Sequence, residues 1–124
     1  MRLLFLVFIF LNSAFGFCQS AEFFVKNPVF KFPKAKEGVT VEHVFTVTNS
    51  GKSPLFISDY EVECSCTKAY FTKDPIMPGK STLIKITFET EGKSYYQDRI
   101  IYLKTNTKKK TEKLRFKVFV EPKV

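Results

Sequence analysis

The chain has 124 residues, enough for one small domain with a single core and too few for two. Lysine and arginine outnumber aspartate and glutamate by 20 to 12, a formal charge of +8, but the excess is spread as single lysines alternating with apolar residues, the pattern of solvated strand faces. The 15 phenylalanines also fall at alternating positions, so they read as core and not as platforms for stacking nucleic-acid bases.

Met1 and Arg2 open a short positive region, and Leu3 to Leu11 form an uninterrupted apolar run of signal-peptide length. The run is too short to span a bilayer as a mature helix. Small residues between Gly16 and Ala21 predict cleavage between Cys18 and Ala21, which makes 1–20 a signal peptide and 21–124 the mature domain. Cys18 then reads as a discarded signal residue. Its rival reading, a lipid-anchored mature N-terminus, places bulky Phe17 where a lipidation site asks for a small residue.

Beyond the signal, apolar residues recur with period two and no segment has a helical period, which predicts short half-buried strands. Phe30 and Phe32 share a face of a first strand. Val39, Val41, His43, Phe45 and Val47 line one face of a second, which ends at the turn Asn49-Ser50-Gly51. Leu55 and Ile57 point inward from a third. The phase then changes, because Tyr60, Val62, Cys64 and Cys66 share the face that this register would turn outward, and a bulge near Ser58 and Asp59 reconciles the two. Pro75 to Gly79 is a loop. Ile84, Ile86 and Phe88 mark the next strand, Ile101 and Leu103 another, and Leu114, Phe116, Val118 and Val120 the last. Between those two, Lys108, Lys109 and Lys110 occupy a hairpin tip. About seven strands at this spacing predict an all-β, immunoglobulin-like β-sandwich, with a small open barrel as the alternative.

The residues resemble a group of exported bacterial domains common in Bacteroidetes, Domain of Unknown Function 1573. The likeness is carried by Phe30 and Phe32, Glu37-Gly38, the H-x-F-x-x-x-N-x-G run of His43, Phe45, Asn49 and Gly51, the C-x-C-T of Cys64, Cys66 and Thr67, and the I-x-P-G of Ile76, Pro78 and Gly79. Ser65 stands between the cysteines where that group usually has glycine. The resemblance implies a fold similar to that of major sperm protein and cilium-associated immunoglobulin domains, which act mainly as binding modules. It implies no particular function.

The pair Cys64 and Cys66 is the strongest chemical feature, since an exported protein meets oxidising conditions. On a regular strand the two side chains lie about 6 to 7 Å apart, whereas a disulfide needs Cβ atoms within about 4.5 Å. Bridging therefore requires a bulge or turn. Three readings stay open: two small hydrophobes in the core, a thiol-redox pair, or two thiolates for a soft metal such as Cu(I). His43, the single histidine, is inward by alternation and reads as a neutral core-edge residue; its sharper role is as a third metal ligand or as base for a Cys-His nucleophile. No phosphate-cradling glycine loop, nucleophile elbow, H-E-x-x-H or C-x-x-C is present, which argues against an enzyme.

The expectation is an exported, non-catalytic binding or structural module in the periplasm or at the cell surface, engaging a protein or envelope component. A thiol-redox or Cu(I)-handling role for Cys64 and Cys66 is the alternative. The basic excess suits weak association with anionic membrane surfaces, while nucleic acid is a partner an exported protein rarely meets.

Overall fold

The computed structural model describes residues 19–124, so the expected signal peptide and Cys18 lie outside the described residues. In chain order the strands are β1 Phe23–Phe24, β2 Val29–Lys31, β3 Ala35–Lys36, β4 Thr40–Asn49, β5 Ile57–Glu61, β6 Thr67–Tyr70, β7 Ser81–Glu89, β8 Tyr95–Thr105 and β9 Thr111–Glu121. They form two sheets, one ordered β1-β4-β7-β6 and the other β2-β9-β8-β5, with β3 also on β9. This is the expected immunoglobulin-like sandwich.

The strand count exceeds the expected seven because the N-terminal segment is divided among both sheets. β1 pairs antiparallel with β4, whereas β2 and β3 run parallel to β9. Pro28 and Pro33 flank β2, and proline cannot donate to a ladder, so no long strand forms there.

Period-two alternation sets the core. Phe45 and Val47 from β4, Ile84, Ile86 and Phe88 from β7, Ile101 and Leu103 from β8, and Leu114, Phe116, Val118 and Val120 from β9 are all buried. The register aligns these rows, with Phe45 opposite Ile84 and Ile101 opposite Leu114. A one-residue slip would turn every one of them to solvent, so burial itself specifies the pairing. The Phe88 and Phe116 rings meet across the sandwich with centroids 5.2 Å apart.

The expected bulge is present, as a register shift between Ile57 and Asp59 where β5 pairs with β8. The strand does not run on to the cysteines, however. β5 stops at Glu61 and the chain turns through Val62 to Cys66 into β6, crossing from one sheet to the other. Crossing is required because β6 must pair with β7, where Thr67 faces Phe88.

Asn49, which reads from sequence as a simple turn residue, is fully buried at the junction of three segments. Its Oδ1 accepts from the backbone N–H of Glu22 at 3.2 Å and of Gly51 at 3.0 Å, and its Nδ2 donates to the carbonyls of Ser53 at 2.7 Å and Ile76 at 2.8 Å. Gly51 completes the junction because the backbone of Ser20 to Glu22 packs against it; a Cβ there would stand 2.6 Å from the Glu22 nitrogen. No side chain fits that gap.

Candidate functional site

The side of the sandwich where β5 gives way to β6 holds both features of interest. Within the turn, Cys64 and Cys66 are joined as a disulfide with Cα atoms 5.1 Å apart. Leaving the strand shortens their separation below the extended value, which meets the geometric requirement. Two backbone hydrogen bonds hold the turn independently: Thr67 N–H donates to the Cys64 carbonyl at 3.1 Å, and Glu89 N–H donates to the Cys66 carbonyl at 2.9 Å. The Cys66 N–H points at the Cys64 Sγ, 3.2 Å away. Cys66 is buried in the core cluster, while Cys64 is half-buried at its margin with Tyr60 and Val62.

His43 lies elsewhere. It faces Ile86 from β4 while Ala69 faces Ile86 from β6, so two strand spacings and three residues of rise separate His43 from Cys66, about 14 Å between backbones. Its ring stacks on Phe30 at 3.5 Å and meets the edge of Phe45 at 4.6 Å. Burial among these rings pushes its pKa below the ordinary histidine value. The structure thus brings Cys64 and Cys66 together and leaves His43 apart from both, as an aromatic-stacked residue at the core edge. Among the described residues no group of three or more His, Cys, Asp or Glu side chains is placed to hold a metal ion. A disulfide-bonded pair also offers no thiolate, the form that binds soft metals.

The second feature is a vacant strand edge that sequence reasoning missed. β8 pairs with β9 along its length, Tyr95 to Lys104, but β5 covers its other side only from Tyr102 to Thr105. Hydrogen-bond parity shows what is left open. Thr105 N–H donates to the Lys110 carbonyl on the β9 side, so odd-numbered β8 residues bond toward β9 and even-numbered ones face away. Arg115 N–H donating to Pro28 on the far side of β9 agrees with this phase, since Arg115 lies opposite Ile100. The N–H and C=O groups of Tyr96, Asp98 and Ile100 therefore point outward, with no strand beyond them among the described residues. Strand lengths set this vacancy, and alternation within β8 carries no signal of how far β5 extends.

The outer face of the sheet next to this edge is aromatic, and it is basic farther in, on β9 and beyond it. Tyr96 is 81% exposed and packs edge-on against Phe119 at 4.9 Å. Lys31, Lys34 and Lys117 line a concavity with these two rings. Asp98 is engaged by Arg115, whose Nε donates to Oδ1 at 2.7 Å and whose hydrogen bonding holds the carboxyl below its ordinary pKa. Arg99 turns inward, its guanidinium 5.6 Å over the Phe88 ring, and its buried Nε has no hydrogen-bond partner.

A protein of unknown function from Porphyromonas gingivalis W83 superposes with a TM-score of 0.65 at 18% identity, over 82% of this chain and 46% of that one. This chain therefore spans about half the length of that relative. The ASH/PapD-like domain 7 of human CEP192 matches at 0.59 and 14% identity, over 84% of this chain and 87% of that one. WR4, a C. elegans member of the MSP family, matches at 0.52 and 9% identity, over 79% and 96%. At these identities the likeness is one of fold, and it agrees with the sandwich described above. No curated protein matches the chain. The profile of the family described as Protein of unknown function (DUF1573) matches residues 23–120, and the chain belongs to that family.

Proposed function

We propose that this chain is an exported, non-catalytic binding module of the bacterial envelope that accepts an extended segment of a protein partner on the open edge of β8. The observation that carries the reading is the outward N–H and C=O groups of Tyr96, Asp98 and Ile100, which offer a partner strand main-chain hydrogen bonds. Long open edges are a liability that soluble domains normally blunt. Arg99, a charge facing inward at this edge, is one such device. Tyr96, 81% exposed on β8, favours a partner strand with apolar side chains to cover it. Export rests on the apolar run Leu3 to Leu11.

The test places a photo-crosslinking residue at Tyr96 or, as control, at Leu83, which is 62% exposed on the other sheet. In envelope extract Tyr96 is expected to crosslink one partner that Leu83 does not, and Ile100→Pro, which removes an outward N–H without touching the β9 ladder, is expected to abolish the adduct. Equal crosslinking from both positions, or an adduct insensitive to Ile100→Pro in folded protein, would overturn the reading.

A further inference from the structure

We infer that the Cys64–Cys66 disulfide is a thiol–disulfide exchange centre, in which Cys64 is the sulfur attacked by an incoming thiolate and Cys66 is the sulfur that leaves. This does not rest on the β8 edge. It rests on three observations at the turn.

The bond is not a staple. It encloses a single residue, Ser65, and a cross-link stabilises chiefly by the length of chain it closes. The turn is already held by Thr67 N–H on the Cys64 carbonyl and Glu89 N–H on the Cys66 carbonyl, so cleavage of the S–S bond leaves the route from β5 to β6 in place.

The two cysteines differ in exposure. Cys64 is half-buried and Cys66 is 9% exposed. A protein thiolate therefore reaches the Cys64 Sγ first, and exchange rates follow which sulfur can be attacked.

The environment also favours a thiolate at Cys64 once the bond opens. The Cys66 N–H is aimed at its Sγ from 3.2 Å, and a donor to the charged form stabilises that form.

The co-reactant is a protein segment bearing two thiols. One partner thiolate attacks the Cys64 Sγ, a mixed disulfide forms, the Cys64–Cys66 bond breaks, and its electron pair leaves on the Cys66 Sγ, which takes a proton. The partner's second thiolate then attacks the partner sulfur of the mixed disulfide and expels Cys64 as the thiolate that the Cys66 N–H stabilises. Two electrons and one proton have passed to this chain, with Cys66 a thiol and Cys64 a thiolate, and the partner carries one new disulfide.

Glutathione serves as the probe, on folded mature chain, with adducts read by mass spectrometry. Oxidised glutathione is expected to modify Cys66→Ala at Cys64 at least tenfold faster than it modifies Cys64→Ala at Cys66. A peptide with two cysteines is expected to be oxidised by the wild-type chain one for one, with circular dichroism of the domain unchanged. Equal modification of the two single variants would overturn the assignment of roles. A wild-type disulfide that oxidises no peptide, or whose reduction unfolds the domain, would overturn the exchange centre itself. Ile100→Pro should exchange with glutathione at the wild-type rate, so loss of partner binding and loss of exchange are separately visible.

Discussion

Two turns of this sandwich invite comparison, because each joins strands and each is tied by a cross-connection. At Asn49 the tie is a neutral amide whose four hydrogen bonds reach Glu22, Gly51, Ser53 and Ile76, gathering the N-terminal strand, the turn after β4 and the loop before β7. At Cys64 and Cys66 the tie is a covalent bond that spans one residue. The weaker kind of bond holds the fold together, since what matters for stability is how many separate segments a tie connects and whether water can replace it. The stronger kind connects nothing distant and leaves one of its two cysteines only half-buried. A structural role and a chemical role are thus separated onto opposite kinds of bond.

Removing each tie should make that separation measurable. Asn49→Ala would leave the Ser53 carbonyl and the Glu22 and Gly51 N–H groups without this partner, each worth about 1 to 3 kcal/mol when unpaired, while the Ile76 carbonyl keeps its Leu55 N–H. The expected loss is therefore roughly 3 kcal/mol, a large share of the stability of a small domain. Urea titration checks it, and a loss under about 1 kcal/mol would mean that the junction is not what gathers the N-terminal strand.

The double change Cys64→Ala with Cys66→Ala should cost less, on the order of 1 to 3 kcal/mol for two small partly buried side chains, and leave the sandwich folded. Amide exchange would sharpen the contrast. Loosening should stay local to Val62 to Thr67 in the cysteine variant and spread through β1 and β4 in Asn49→Ala. A cysteine variant that fails to fold would show the covalent tie to be structural after all.

The smallest effect concerns pH. The Asn49 amide cannot titrate, whereas His43 can, and burial depresses its folded-state pKa below the ordinary 6.5. The unfolded chain then binds a proton more readily than the folded one, so this contribution is fully present above pH 6.5 and is lost as pH falls through the folded value. Stability measured in urea from pH 8 to pH 5 should decline slightly in the wild type and less in His43→Phe. An identical decline in both would assign it to other groups.

Much of the fold was legible in the residues, and the places where reading stopped share a cause. The buried rows of β4, β7, β8 and β9 follow from period two alone, because alternate side chains of a strand must face opposite ways. The bulge between Ile57 and Asp59 was legible for the same reason, as a break in phase that only an extra residue repairs. The cysteine pair was visible as a motif, and the need for a turn followed from strand geometry, but alternation suggested that the strand continued to Cys66. It ends at Glu61 because β6 has to reach β7 in the other sheet. The Asn49 junction and the open edge of β8 left no signal of that kind.

By itself, then, the sequence determined the fold class, the inward faces, the phase break and the one chemical motif, since these depend on the order of residues along a strand. The tertiary structure decided which edges are covered, which turn residue becomes a junction, that Cys64 and Cys66 meet while His43 stands about 14 Å from Cys66, and which cysteine is the more exposed. Those depend on where strands of different sheets end relative to one another, a property of the pairing between distant segments that no local pattern encodes.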